Sequence, residues 1–407
     1  MMRGLSRLKA WLKWSLSDLF YRWVPRKPAE ASALPRGVNL IGYAHAEMGL
    51  GEALRNTALA LDDVRIPFLV RKLDVPLLNR QQNRSLDPYV LDYCTYAVNL
   101  IGVNPDLMYR MPLWLSYGEW ARRYNIGYWF WELANFPESW RYACRMVDEV
   151  WVNTEFVADS VRQAHPRVYK IPFAVAFDEP AAMYDRRYFG LPEAGTHFLF
   201  SYDLNSSTAR KNPGDVIRAF QQAFPVGDEP VVLVVKLING EQVPAALRAL
   251  RASLQNDPRI CLIDRYLSTD EMRGLLRTAD CYVSLHRAEG LGLGMAESMF
   301  LGKPVIATAY SGNMEFMNPD NALLVPYALV PVAEGEYPFA TGQFWAAPDV
   351  SIAANYMRRV LKEPAEMVRI GEAARVYMQT HHAIKVMSEA IAQRLEMIGR
   401  QLQGPAC

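Results

Sequence analysis

Short continuous apolar runs, each followed by a stretch with helical spacing, recur along the chain from about residue 38. GVNLIGY opens the series, then a Gly-containing loop and a helical stretch from Glu52 to about Leu61. IPFLV, YAVNLIGV, IGYWFWEL and DEVWVNT read as further strands, PESWRYACRM and EFVADSVRQA as helices, and VYKIPFAV closes this set near residue 175. A second set begins near Thr196. HFLFSYDL, PVVLVVKLI, RICLIDRYL, CYVSLH, PVIATA and ALLVPY read as strands, with helices over Gly214–Phe224, Pro244–Asn256, Thr269–Thr278 and Leu293–Leu301. Strands without polar alternation are buried on both faces, and their alternation with amphipathic helices predicts parallel sheets covered on both sides. The chain therefore reads as α/β, two doubly wound Rossmann-like domains facing across a cleft. Ligands in such folds bind beyond the carboxyl ends of the strands, so that cleft is the expected site.

The pattern divides the 407 residues into a basic amphipathic segment (1–36), a first Rossmann-like domain (37–185), a second (186–375) and a C-terminal helical segment (376–407). In the first segment Leu5, Leu8, Leu12, Leu16, Leu19 and Trp23 share a helical face. Arg3, Arg7, Lys9, Lys13, Arg22, Arg26 and Lys27 are opposed only by Asp18. No apolar run there approaches the ~20 residues that span a bilayer, and charges interrupt it too often for a signal peptide. Two readings stand: a helix lying on an anionic membrane surface with Trp11, Trp14 and Trp23 at the headgroups, or a terminal helix docked on its own protein.

Composition narrows the class. Apolar residues make up 51% and charged residues 21%, the balance of a folded globular chain. A net charge of +1 lacks the broad basic surface of a general nucleic-acid binder. The cysteines, Cys94, Cys144, Cys261, Cys281 and Cys407, are odd in number and form no C-x-x-C pair, which disfavours a disulfide framework or a zinc site and suits a reducing cytosol. His381 and His382 are adjacent, so on a helix they point to different faces and make a poor metal clamp.

The most informative stretch is HRAEGLGLGMAESMFLGKPV, His286 to Val305, between a strand and a helix. Gly290, Gly292 and Gly294 allow close backbone approach at a helix N-terminus, where free amides and the helix dipole favour a phosphate. Glu289 and Glu297 are eight positions apart, about 12 Å along an ideal helix. That is wide for a glycosidase pair, roughly 5–9.5 Å across one bond. Two hydroxyl-binding carboxylates around a phosphate nest suit a ligand built as sugar, diphosphate and ribose.

E-x7-E in this strand–loop–helix context, followed by GKPVIATAYSGNMEFM, resembles the retaining glycosyltransferases of family 4, which have the GT-B fold. The resemblance runs over residues 37–400 and is strongest from Ser201 to Pro326. It implies that Glu289 contacts donor-sugar hydroxyls, that Glu297 contacts the ribose, and that amides of Gly290, Leu291, Gly292, Leu293 and Gly294 hold the diphosphate and sugar. SYDLNSSTARKNPGDVIRAF is similar to the family segment whose lysine neutralises the diphosphate. Lys211 matches that lysine. The arginine usual several residues earlier is replaced by Asn205 and Ser206, leaving Arg210, adjacent to Lys211, as its stand-in. IGYAHAEMGLGEALR resembles the family's first βα loop, with Gly49 and Gly51 opening a helix toward the diphosphate, and His45 and Glu47 near donor or acceptor. Just past a strand, IGYWFWELANFPESW places Glu132 where many relatives have a histidine. Glu132 is then either an acceptor-orienting group or a buried carboxylate satisfied by backbone amides.

The implied activity is transfer of a hexose from a nucleotide diphosphate sugar to a hydroxyl acceptor, with retention. GDP-mannose is the family's first suggestion and UDP-hexoses follow closely. A lipid-linked oligosaccharide in surface polysaccharide assembly is the suggested acceptor, and base recognition is placed near Arg265–Leu267. No D-x-D pair stands in a suitable loop, so no metal or other cofactor is expected. Alternatives with the same architecture are a nucleotide-sugar-binding protein without turnover, an epimerase or a phosphorylase. The expected location is cytoplasmic, peripheral on the inner membrane face.

Overall fold

A computed structural model describes residues 26–75, 79–254 and 257–403, with Ser15 and Leu19. The chain forms two compact units, Met1–Ala174 with His382–Cys407, and Val175–His381. The amphipathic face and tryptophans expected to meet a membrane lie outside the described residues, Leu19 excepted. Arg26 is turned inward: its guanidinium pairs with Asp148 and lies 5.6 Å from the Trp120 ring centroid. No helix among the described residues is long and apolar enough to cross a membrane.

The first unit holds six parallel strands, β1 (Val38–Gly42), β2 (Phe68–Lys72), β3 (Val98–Gly102), β4 (Tyr124–Tyr128), β5 (Glu149–Val152) and β6 (Val168–Lys170), in the order β2-β1-β3-β4-β5-β6. The sequence VNLIG occurs in both β1 and β3, and the two copies lie side by side, Val38 opposite Val98 through Gly42 opposite Gly102. All five positions of each are buried. The asparagine in each copy explains the register. Asn39 donates to Asn99 Oδ1 at 2.8 Å, and Asn99 donates to Asn125 Oδ1 at 2.8 Å, a side-chain ladder across β1, β3 and β4. A one-residue slip would orphan three fully buried amides. The helix Gly49–Asp63 covers one face with Leu54, Ala58 and Leu61.

The second unit has its own parallel sheet: β7 (Thr196–Asp203), β8 (Val231–Ile238), β9 (Ile260–Asp264), β10 (Cys281–Ser284), β11 (Val305–Thr308) and β12 (Leu323–Val325), ordered β12-β11-β10-β7-β8-β9. The order reverses between β7 and β10, the switch point at which a doubly wound sheet opens a crevice beyond its strand ends. β13 (Tyr327–Pro331) and β14 (Phe344–Pro348) form a separate antiparallel hairpin that the apolar-run pattern does not predict.

Three expectations are adjusted. PESWRYACRM forms a 3-10 helix, Glu138–Arg145, rather than an α-helix. The first unit ends at Ala174, not near residue 185. The C-terminal helical segment is not one block. Pro364–His381 belongs to the second unit, and Ile384–Gln403 returns to the first. His382 marks the break, its ring stacked on Phe173 with centroids 4.1 Å apart and its Nδ1 3.2 Å from the Phe173 carbonyl.

Candidate active site

In the second unit, the loops that leave β7 and β10 meet at the switch point. Ser207 caps the short helix Thr208–Lys211 by accepting from the Arg210 N–H. Asn212 then adopts a left-handed φ of 56° that ends this helix, and Pro213 starts the next at its first position. The Asn212 amide donates to Asp215 and to the Leu285 carbonyl, both within 2.8 Å. This ties the turn to the end of β10 and brings Arg210 and Lys211 beside Glu289. Lys211 Nζ is 2.5 Å from Glu289 Oε1, and Arg210 Nη1 is 3.0 Å from Glu289 Oε2 and 2.9 Å from the Ala288 carbonyl.

Glu289 is buried. Burial alone would push its carboxyl up, but Arg210 and Lys211 more than reverse this and hold it at about 2. It is a carboxylate across the physiological range. The two cations differ in access: the Arg210 side chain is 6% exposed and the Lys211 side chain 21%. Arg210 therefore anchors the Ala288–Glu289 backbone from within, while Lys211 keeps a solvent-facing side from which an ammonium can meet a phosphate.

Gly292 precedes the helix Leu293–Phe300 with φ 95°, a conformation that side chains resist. It points the first-turn amides of Leu293 and Gly294, which no helix satisfies internally, out of the helix end. Gly290 and Glu289 are gripped from behind by the turn after β11. Ser311 Oγ accepts from the Glu289 N–H at 2.8 Å, and the Gly312 N–H donates to the Glu289 carbonyl at 2.8 Å. Ser311 takes φ 79° to do so. Glu297, one turn into the helix, lies 3.9 Å from Arg273 Nε. On the neighbouring edge the buried Lys236 donates to the Arg265 carbonyl at 2.7 Å, which fixes the loop expected to meet a base. Burial lowers that ammonium to about 8. Among the described residues no group of three or more His, Cys, Asp or Glu could hold a metal ion.

The remaining sequence candidates lie in the first unit, beyond the carboxyl ends of its strands. A Cβ on Gly51 would sit 2.1 Å from the Ala46 carbonyl, so this glycine is needed for loop-on-helix packing, whereas Gly49 has open space around it. Arg55 holds the loop by donating to the carbonyls of Ala44 and Ala46. His45 is engaged by Asp87 at 2.5 Å and by Arg84, and Glu47 lies 3.8 Å from Arg80. Both residues have partners of their own in the unit. Trp129 and Trp131 are buried core residues, packed on Phe136 and Trp140. Glu132 interacts with Asp106, which follows β3. Burial pushes the Asp106 carboxyl up to about 6, with Glu132 adding to the rise against two backbone amides.

Residues 204–377 match the family model described as Glycosyl transferases group 1. The second unit is a glycosyl transferases group 1 domain. No curated protein sequence matches the chain closely enough to supply a relative. Among solved structures, the chain is similar to Anabaena Alr3699/HepE in complex with UDP and glucose, with a TM-score of 0.63, 15% identity, and 89% of this chain and 100% of that one covered. A glycosyltransferase from Rickettsia africae ESF-5 gives a TM-score of 0.63 at 13% identity, covering 91% and 100%. Sucrose-phosphate synthase from Thermosynechococcus elongatus gives 0.63 at 15%, covering 89% and 99%. Identities this low speak for the fold, which is GT-B with two Rossmann-like units.

Four residues that shape the site of this glycosyl transferases group 1 domain escaped the sequence reading: Asn212, His286, Ser311 and Asn313. His286 is fully buried, which lowers its pKa and favours the neutral ring. Its Nε2 faces two acceptors, Asn313 Oδ1 at 3.0 Å and the Tyr310 carbonyl at 3.2 Å, so the proton sits there and Nδ1 accepts from Ser284. The ring thus splices the end of β10 to the turn that grips Glu289. Only the K-N-P and S-G-N sequences hint at this, as turn-forming tripeptides.

The grip offers a direct test. A Cβ on Gly312 would fall 2.1 Å from the Gly290 carbonyl and 2.8 Å from that of Glu289, both backbone atoms with nowhere to retreat. Gly312→Ala is expected to displace the Glu289–Gly290 backbone and weaken binding of a nucleoside diphosphate by at least about tenfold, since displacements near 1 Å at a positioned site carry penalties of that size or larger. Isothermal titration with UDP and GDP measures it, and wild-type affinity in the variant would show that this turn does not position the site.

Proposed function

We propose that the chain is a glycosyltransferase that moves a hexose from a nucleotide diphosphate sugar to a hydroxyl acceptor, with retention at the anomeric carbon. One observation carries the reading: Glu289, kept charged by Lys211 and Arg210, stands at the switch point beside the glycine-laced end of a helix. A carboxylate that only accepts hydrogen bonds suits sugar hydroxyls, and amides with an ammonium suit a diphosphate. Glu297 serves the ribose hydroxyls in this arrangement.

The anomeric carbon loses its bond to the diphosphate oxygen and gains one to the acceptor oxygen on the same face, and the departing diphosphate takes the acceptor proton. Negative charge grows on the leaving group, so the groups that matter most are those already aimed at it: Lys211 and the first amides of the Leu293–Phe300 helix. Arg210 acts through Glu289 and its backbone. In the first unit Asp106 and Glu132 are suited to orienting an acceptor hydroxyl. No metal is needed for this charge balance.

HepE was crystallised with UDP and with UDP-glucose, which supports uridine sugars as the first donors to try, with GDP-mannose alongside. A lipid-linked glycan in surface polysaccharide synthesis is the acceptor class we favour, from the basic terminal sequence. Labelled UDP-hexoses and GDP-mannose, offered with glycan or lipid-linked acceptors, should release nucleoside diphosphate and label the acceptor, and should do so in excess EDTA. Lys211→Ala is expected to lower turnover about a hundredfold and to lower the melting temperature modestly, since Arg210 still balances Glu289. Thermal stabilisation by nucleotide sugars with no release on any acceptor would instead favour a binding protein without turnover.

A further inference from the structure

The first sheet has a second end. Opposite the edge that carries Tyr43–Met48, Asp106 and Glu132, a cavity of about 540 Å³ opens at the amino-terminal ends of β1 and β3. That volume is in the range of small-molecule sites. Its walls are Leu34, Val38, Ile66, Val98, Ala392 and Leu395, contributed by the chain entering β1, the starts of the strands and the last turns of the Ile384–Gln403 helix.

The rim is basic. Arg36, Arg65 and Arg400 line it, all exposed. Arg400 is paired with Glu396 at 2.6 Å, whereas Arg36 and Arg65 make no ion pair among the described residues. An apolar pocket under two uncommitted guanidiniums matches an amphiphile with an anionic head. The charge also argues against the chain's own first segment as occupant, since residues 1–27 carry seven Lys and Arg and one Asp. That segment enters the fold at the same edge: the Lys27 N–H donates to the Ala121 carbonyl just before β4, and Arg26 pairs with Asp148 just before β5. Arg26 and Lys27 therefore lie at the same end of the sheet as the basic-rimmed pocket.

We propose that this end is a binding site for an anionic phospholipid, its acyl chain in the cavity and its phosphate held by Arg36 and Arg65. The proposal does not depend on the reaction assigned to the second unit. It makes the attachment of this chain to a membrane saturable and headgroup-selective, where a surface helix alone would only partition. The site lies at the opposite end of this sheet from Asp106 and Glu132.

Gly399 provides the clean test. It lines the cavity, and a Cβ built on it meets nothing within 4 Å, so a large side chain can enter the cavity while a glycine leaves a helix interior. The full chain is titrated with lyso-phosphatidylglycerol, lyso-phosphatidylcholine and glycerol phosphate, reading melting temperature, and floated with phosphatidylglycerol vesicles. A saturable rise with lyso-phosphatidylglycerol alone is expected. Gly399→Trp should lose that rise and keep its ligand-free melting temperature and its turnover of donor, with Gly399→Leu as the second variant should tryptophan misfold. R36E/R65E should weaken vesicle binding by about tenfold or more at low salt. An equal rise with lyso-phosphatidylcholine or glycerol phosphate, or an undiminished response in both Gly399 variants, would overturn the site. So would vesicle binding that depends on residues 1–25 and is indifferent to Arg36 and Arg65.

Discussion

Glu289→Gln is expected to lower kcat/KM for the sugar donor by about 10²–10³-fold, the penalty typical of removing one preorganised charged group from a reacting centre. The change is nearly isosteric, so the loss would come from charge. A neutral amide no longer holds Lys211 by attraction, and one of its two polar atoms is a donor where a sugar hydroxyl expects an acceptor. The same substitution should destabilise the second unit, because Arg210 remains buried beside a group that no longer balances it. The pH dependence separates this effect from a packing defect. In the folded chain the carboxyl sits at about 2, against 4.5 for the unperturbed group. A carboxyl depressed on folding contributes stability above its unfolded value and loses it as pH falls through the folded one. The advantage of wild type over Glu289→Gln, about 3 kcal/mol at neutral pH by that shift, should be full above about pH 5 and fade toward pH 2. Denaturant titrations at several pH values read it. A difference that stays constant down to pH 2.5 would sink the account of the Glu289–Arg210–Lys211 cluster.

The strands were legible because parallel strands buried on both faces have no polar alternation to obscure them, and VNLIG reads the same wherever it occurs. The glycines and carboxylates of residues 289–297 were legible for another reason: a strand, a tight turn and a helix N-terminus are local, and local chemistry is what a sequence displays. What could not be read was long-range. Lys211 meets Glu289 across 78 positions, with Arg210 beside it, because Asn212 in the left-handed region binds the Leu285 carbonyl. Nothing in K-N-P announces its partner. Ser311 and Asn313 are similar, their roles set by what β11 delivers them to. PESWRYACRM shows the limit of periodicity, since spacing adequate for an α-helix is met equally by the 3-10 turns that Trp140 and Tyr142 adopt to bury their rings. The final helices were read as one because no Gly or Pro stands at residues 381–384, and the break comes from packing of His382 on Phe173. That contact hands the last helix back to the first unit, where Met387, Ile391 and Ile398 join the core and a buried ion pair adds to their hold.

Glu149→Ala should produce the largest loss of stability in the first unit, about 3–5 kcal/mol, enough to remove much of a typical domain's margin. Glu149 is fully buried and saturated: Arg394 donates to both oxygens, at 3.0 and 2.5 Å, Trp151 Nε1 donates at 2.7 Å, and the Tyr124 hydroxyl donates at 2.6 Å. Arg394 also lies 3.5 Å from the Tyr169 ring centroid, sandwiched between the sheet and the Ile384–Gln403 helix that carries it. Removing the carboxylate strands a buried guanidinium and two buried donors at once, each of which had given up water to enter the interior. The reference state decides what such a pair is worth, so the informative comparison is the double variant Glu149→Leu with Arg394→Met. With both charges gone and similar volume kept, no uncompensated ion remains, so the part of the loss due to the stranded guanidinium should return, while the Trp151 and Tyr124 donors still lack their acceptor. Hydrogen exchange over residues 384–403 should follow the same order, fast in Glu149→Ala and slow again in the double variant. If the double variant is as unstable as the single one, the pair holds this helix by its shape and hydrogen bonds to Trp151 and Tyr124, and its charges contribute little.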